Sequence, residues 1–238
     1  MPNVDVRIRR ARGLDDYLAC VALQKEVWGY TESDDIAAQP MLMIGDRYGG
    51  SVLIAQNEAG RYTGFAFAMA AWKSGMKPFW WSHMTAVVKE YRNRGIGLAL
   101  KLRQREEALA SGIDLIEWTF DPLQALNAHF NFHKLGVIVR EYEENVYGYT
   151  SSALHLGLPT DRFVAEWHLN PFPQPRHVRK PDDVLVEIPA DVHALKLEDL
   201  EAARNWQNRL RTTARKLFHE GYVAKDFLKD DLSYLFTK

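Results

Sequence analysis

The feature that most constrains this chain is the run Val87 to Gly97, VVKEYRNRGIG, set between an apolar stretch with strand character and a stretch with helical spacing. At a strand-to-helix junction the first backbone N–H groups of the helix lack intrahelical partners. They point outward together with the positive end of the helix dipole. Gly95 and Gly97 keep side chains out of the way and leave φ unrestricted. Arg92 and Arg94 add guanidinium charge suited to phosphate oxygens. The run reads as an anion cradle, with a tight turn carrying solvated arginines as the plain alternative. Two other phosphate loops fail on their own requirements. A dinucleotide fingerprint needs a third glycine at position 100, which is Leu100; a P-loop needs Gly-Lys followed by Ser or Thr, and none occurs.

Charge balance makes any such anion site local. Lys plus Arg is 30 against 31 for Asp plus Glu, a formal net charge of -1. Duplex nucleic acid and anionic membranes both select an excess of positive charge, so neither is expected as a partner. The longest wholly apolar run, Phe65 to Trp72, is far too short to span a bilayer. The opening MPNVDVRIRR is charged and lacks the apolar core of a secretory signal, so a cytoplasmic location is expected. One cysteine, Cys20, excludes an intrachain disulfide and a Cys-rich zinc site. With no acidifying neighbourhood in sequence, it reads as a small buried hydrophobe rather than a reactive thiol.

Alternating apolar and charged residues predict a first strand over Val4 to Ala11. Leu14, Leu18, Val21, Leu23 and Val27 then predict a helix over Leu14 to Trp28, with Asp15 and Asp16 suiting its N-terminal dipole. A short helix is expected near Ile36 to Ile44, and strands at Ser51 to Gln56, Tyr62 to Trp72 and Phe79 to Val88. Beyond the loop come a helix over Ile96 to Ser111, a strand over Asp114 to Phe120, a helix near Leu123 to Leu135 and a strand from Val137 to about Tyr149. A strand at Arg162 to Leu169 precedes a connector carrying Pro171, Pro173, Pro175 and Pro181. The prolines mark the expected boundary between residues 1–170 and an extension of 171–238. That extension holds a strand at Val184 to Ile188, a long helix over Leu197 to Gly221 and two short strands.

The pattern Val-x-x-x-Tyr-Arg-x-x-Gly-x-Gly, after a strand and before a helix, resembles the acyl-CoA signature of the GNAT superfamily. IRRARGLDDYLACVALQKEVW resembles the family's first strand and helix, and NAHFNFHKLGV (Asn127 to Val137) its later helix ending in Lys-x-Gly. The resemblance covers roughly residues 5 to 150. It implies an α/β (α+β) fold: a twisted, mostly antiparallel mixed sheet that splays at the cofactor, flanked by helices. It implies acetyl-CoA or another acyl-CoA as donor, a small-molecule amine as acceptor and no metal. Backbone groups at Val87 and Val88 would bond the pantetheine arm. N–H groups of Arg92, Asn93, Arg94, Gly95, Ile96, Gly97 and Leu98 would hold the pyrophosphate. Asn127 is favoured over Asn131 as a contact to the CoA arm.

Amide formation from a thioester needs a neutral amine and a proton for the departing thiolate. Trp81, His83 and Thr85 share a strand face if the two-residue period holds. His83 lies nine residues before Arg92, where some members of the family place a catalytic histidine, and an unperturbed pKa near ~6.5 suits a base. A satisfied strand histidine is the plain alternative. The family's general-acid tyrosine falls at Phe132, which has no proton to give; Tyr142, Tyr147 and Tyr149 are the candidate substitutes, and water is another. With a leaving thiol of pKa about 8.5, such an acid is helpful rather than essential.

Glu117 and Asp121 end a strand where an amine should arrive, as ammonium ligands or as polar strand ends. His129 and His133, four apart on a helix, permit a metal face but no third ligand is evident. Arg209, Arg211 and Arg215 on the long C-terminal helix read as a solvated face, with a cover over the acceptor site or a homodimer contact as alternatives. The segments WTFDPLQ and LPTDRFVAEWHL resemble a bacterial GNAT branch that includes amino-acid N-acyltransferases, some using succinyl-CoA. A succinyl donor would call for an arginine in the acyl pocket, for which Arg140 is the candidate.

Overall fold

The computed structural model describes residues 5–148, 157–174 and 177–238. They form two compact units that meet in sequence after Glu117, each taken here by itself. The first unit holds β1 (Arg7–Arg10), α1 (Leu14–Trp28), α2 (Gln39–Arg47), β2 (Ser51–Gln56), β3 (Tyr62–Ala71), β4 (Phe79–Val87), α3 (Ile96–Ala110) and the first half of β5 (Leu115–Phe120). Strand order follows the chain from β1 to β5. The pairs β1–β2, β2–β3 and β3–β4 are antiparallel, and β4–β5 is parallel through Trp80↔Ile116 and Trp81↔Glu117.

Local chemistry sets these boundaries. Two glycines frame α1: Gly13 at φ 81 precedes it, and Gly29 at φ 68 closes it with its N–H on the Lys25 carbonyl. Pro40 sits in the first turn of α2, where its missing N–H has no helical partner to lose. The sheet is buried on both faces. Tyr17, Cys20 and Leu23 of α1 pack with Ile54, Phe65, Phe67 and Met84, while Leu53, Ala55 and Ala66 meet Ile96 and Leu100 of α3. Each large apolar side chain so buried contributes about 1.5–3 kcal/mol. Of the apolar residues that predicted α1, Leu23 is buried and Val21 and Val27 pack against this cluster, whereas the first two turn away from it. Leu14 and Leu18 are 56% and 48% exposed, and Tyr17, Cys20 and Leu23 carry the core.

Two buried carboxylates tie this unit together. Asp46 accepts from Arg10, from Tyr17 Oη at 2.7 Å and from Val52 N–H at 2.9 Å. Asp16 accepts from Arg9 through both oxygens and from Tyr62 Oη at 2.8 Å. Burial, followed by the Asp46 charge, pushes the Tyr17 phenol up to about 12. Burial also drives the Cys20 thiol upward, so it is an inert core group.

The second unit holds the end of β5, α4 (Ala125–His129) continuing as a π-helical turn over Phe130–Leu135, β6 (Ile138–Glu143), β7 (Arg162–His168), β8 (Val184–Glu187), α5 (Val192–Glu198), α6 (Leu200–His219), β9 (Val223–Leu228) and β10 (Ser233–Thr237). Its strands run in the order β7-β6-β9-β10-β8, all antiparallel. The core is aromatic: the Tyr234 ring lies 5.1 Å from Phe163, 5.1 Å from Phe227 and 5.7 Å from Phe132. Tyr234 Oη donates to the Pro122 carbonyl at 2.6 Å.

Ten strands, antiparallel but for β4–β5, with flanking helices, agree with the mixed α/β fold expected. Residues 170 and 171 both lie within the second unit, where β9 pairs with β6 through Val139↔Ala224. The long C-terminal helix expected over Leu197 to Gly221 forms as α6 (Leu200–His219), started by Asp199, whose carboxylate accepts the Ala202 N–H at 2.9 Å; the short α5 before it is unexpected. The strand from Val137 ends at Glu143, and Tyr149 and Pro175 lie outside the described residues. Among the described residues no helix is long and apolar enough to cross a membrane.

Candidate functional site

The loop after β4 leads into α3 through left-handed backbone. Asn93 and Gly95 both adopt left-handed backbone, at φ 61 and φ 80, and Gly95 caps α3. The first helical bond runs from the Ala99 N–H to the Gly95 carbonyl at 2.9 Å, so the N–H groups of Ile96, Gly97 and Leu98 have no partner within the helix. A Cβ at Gly97 would lie 3.9 Å from Val87 Cγ2, an ordinary van der Waals contact, so packing against β4 does not by itself call for glycine there. Arg94 stacks over the Tyr91 ring at 5.1 Å, and Asn57 Nδ2 holds the Tyr91 hydroxyl at 2.9 Å. Arg92 folds back instead, with Nε donating to the Val87 carbonyl at 3.0 Å. Val88 spends its N–H on the Thr63 carbonyl at 3.0 Å and accepts from the Tyr91 N–H at 3.0 Å. Val87 to Leu98 are thus one continuous surface, with Arg94 the guanidinium left facing outward.

His83 occupies a β-bulge. On β4, Met84 pairs with Phe67 and Ser82 with Ala68, so His83 is the extra residue with no opposite number on β3. The two-residue period breaks there, and the expectation that Trp81, His83 and Thr85 share a face is corrected. Thr85 pairs with Ala66 of the α3-side cluster, while the His83 ring meets Phe67 of the α1-side cluster edge-on at 6.1 Å. His83 is half-buried, and burial holds its imidazole below the ordinary 6.5. At neutral pH it is an uncharged base.

On β5, Glu117 is 3% exposed at the position paired with Trp81. Its Oε2 accepts from Lys73 Nζ at 2.8 Å. A buried carboxylate on a central strand already holding one ammonium is the chemistry an amine needs. The sequence reading named Glu117 but not Lys73. It also missed Lys101, fully buried on α3, whose Nζ donates to Ser82 Oγ at 3.0 Å and Gln104 Oε1 at 2.8 Å. Burial holds that ammonium well below its usual range.

In the second unit, Asn127 is partly exposed and its Oδ1 accepts from buried Asn131 Nδ2 at 3.3 Å, which turns the Asn127 amide N–H groups outward. Tyr142 is unsuited to the acid role expected of it. Its hydroxyl is buried and donates to Asp161 Oδ2 at 2.6 Å, and burial followed by Asp161 drives the phenol strongly upward. Tyr147 is 42% exposed, with its hydroxyl 2.8 Å from Thr119 Oγ1 and Arg162 over its ring at 5.3 Å. Phe132 is buried against Phe120 and Tyr234. Asp121 accepts the Leu123 N–H in the turn that precedes α4 and pairs with Lys196. Arg140 pairs with Glu166. The basic face of α6 is engaged within its own unit: Arg211 with Asp161 and Glu144, Arg215 with Glu144, and Arg209 over Trp206.

By sequence, the chain matches no protein-family model and no curated protein. Its structure matches solved ones. The ribosomal-protein-S18-alanine N-acetyltransferase of Escherichia coli superposes with a TM-score of 0.54 over 74% of this chain and 97% of that one, at 12% identity. A GNAT-family protein of acetyltransferase type from Desulfovibrio desulfuricans gives 0.53 over 69% and 99%, at 17% identity. The yncA protein of Salmonella typhimurium, solved with acetyl-CoA, gives 0.52 over 74% and 98%, at 18% identity. The fold is therefore that of the GNAT acetyltransferases. At these identities the likeness is one of fold, and the residues above carry the rest.

Proposed function

We propose that the chain is an acyl-CoA-dependent N-acyltransferase of the cytoplasm. It moves an acetyl or succinyl group from coenzyme A to the amine of a small molecule, an amino acid by first choice. The observation that carries this is the opening of α3, where left-handed Asn93 and Gly95 present the N–H groups of Ile96 to Leu98 beside Arg94. That arrangement suits a pyrophosphate. Val87 and Val88 would flank the pantetheine arm.

Most free amine is protonated at pH 7 and cannot attack a carbonyl. Glu117 would receive the ammonium in exchange for Lys73, and His83, neutral through burial, would accept its proton directly or through water. The amine nitrogen then attacks the thioester carbonyl, the new C–N bond replaces the C–S bond, and CoA leaves as thiolate. The proton that the nitrogen sheds on forming the amide passes to solvent, and solvent returns one to sulfur. With a thiol pKa of about 8.5, solvent suffices.

Titration of acetyl-CoA and succinyl-CoA against free amino acids and a short peptide, reading thiol release, tests the proposal. Release with a free amino acid supports it as stated, and release with the peptide alone overturns the small-molecule acceptor. A second reading, a CoA-binding protein without turnover, draws on Phe132 and the tied Tyr142. Tight binding of CoA with no release for any amine would establish it.

A further inference from the structure

We propose that the second unit carries a separate binding site for a small multivalent oxyanion, in the cavity between the π-helical turn, the ends of β6 and β7, and β9. The cavity measures 830 Å³, within the range of small-molecule sites. Its apolar floor includes Phe132, Leu135 and Val137. Around this floor stand Lys134, Lys180 and Lys225, all exposed and without an ion pair among the described residues. They come from three different segments, so the fold gathers charge that the sequence scatters. The Arg140 guanidinium on the wall is matched by Glu166, and His177 Nε2 lies 2.8 Å from Asp183. Among the described residues Asp226 is the one carboxylate lining the cavity. Three ammoniums against one carboxylate in the lining leave a surplus of positive charge, in a chain whose net charge is -1.

A second observation reports the same field. His129 stacks on wall residue His133 with ring centroids 4.6 Å apart. Its imidazole is held below the ordinary range by burial first and then by His133, Lys229 and Lys134. A concave, partly apolar cavity with converging ammoniums suits phosphate or carboxylate groups on a compact molecule, since ammoniums act on such anions as point charges.

Calorimetric titration of the full chain with inorganic pyrophosphate and, separately, citrate at low ionic strength tests this. Pyrophosphate could also bind the α3 loop, so Arg94→Gln serves as the control. We expect at least one of the two anions to bind the Arg94→Gln variant as it binds the parent. We expect roughly tenfold or more loss in a Lys134→Gln/Lys180→Gln/Lys225→Gln variant. Which of the two binds identifies phosphate or carboxylate as the ligand group. Should the triple variant fail to fold, the single reversal Lys225→Glu gives the same readout. Absence of binding by both anions, binding that survives the lysine changes, or binding that disappears in Arg94→Gln overturns the site.

Discussion

Replacing Tyr142 by Phe separates a structural tyrosine from a catalytic one. The change removes one hydrogen bond, from Tyr142 Oη to Asp161 Oδ2 at 2.6 Å, and leaves the ring stacked edge-on to Phe163 at 5.6 Å. A hydrogen bond to a charged acceptor contributes about 1.5–3 kcal/mol. Asp161 retains Arg211 Nε at 2.8 Å and the Asn145 N–H at 3.1 Å, so no carboxylate is stranded and the lower part of that range applies. The expected loss is about 1–2 kcal/mol, at roughly 2–4 °C of Tm for each kcal/mol in a chain of this size. The sign with pH follows from the direction of the shift. A phenol raised above its ordinary 10.0 in the folded state contributes fully below that value and loses the contribution only at higher pH. The gap between parent and variant should therefore stay constant from mildly acidic to mildly alkaline pH. Thermal melts measure that gap, and thiol release with the best acceptor measures kcat. A hydroxyl bound to a buried carboxylate delivers no proton to sulfur, so kcat should hold within about threefold, against the 10²–10⁴-fold typical of a lost general acid. An unchanged Tm with a hundredfold fall in kcat, on the order of a lost acid, would refute the reasoning.

His83→Gln should lower kcat/KM on the order of 10²–10⁴-fold and abolish the acid limb of the pH profile, which in the parent lies below 6.5 because burial disfavours the imidazolium. The parent should also lose stability as pH falls through that region, since the unfolded chain binds the proton more readily, and the variant should not. Gly95→Ala places a Cβ at φ 80 and should destabilise by about 1–2 kcal/mol while weakening CoA binding, read by melts and by CoA titration. Asp199→Ala removes the cap of α6 and should lower stability by about 1 kcal/mol with little effect on thiol release.

Sequence reasoning succeeded where short-range chemistry decides. The bounds of α1 follow from Gly13 and Gly29, and the loop before α3 follows from a strand end, Gly95 and a helix start. It failed where tertiary context overrides local pattern. Leu14 and Leu18 looked like core and are exposed, because the sheet meets the face carrying Tyr17 and Cys20. The bulge at His83 leaves no trace in the alternation of β4, since it is defined by β3 across the ladder. The start of α6 at Asp199 had a local signal, an aspartate three residues before Ala202, which the surrounding apolar spacing hid. Tyr142 looked available as an acid because its partner Asp161 lies nineteen residues further on.

The pairing of β6 with β9 has a kinetic consequence. Val139 and Ala224 are separated by about 85 residues, so this edge closes only after a long stretch of chain has been searched. In the first unit β2, β3 and β4 pair between near neighbours, and the longer closure of β1 on β2, Arg7↔Gln56, is still well short of that separation. During synthesis β6 therefore waits with a bare row of N–H and C=O groups until residues 223 onward emerge, and an open edge recruits other chains. Chains halted before β9 should be the aggregation-prone species. Expression yield should depend more on the tail strands than on the loop from Val87 to Gly97.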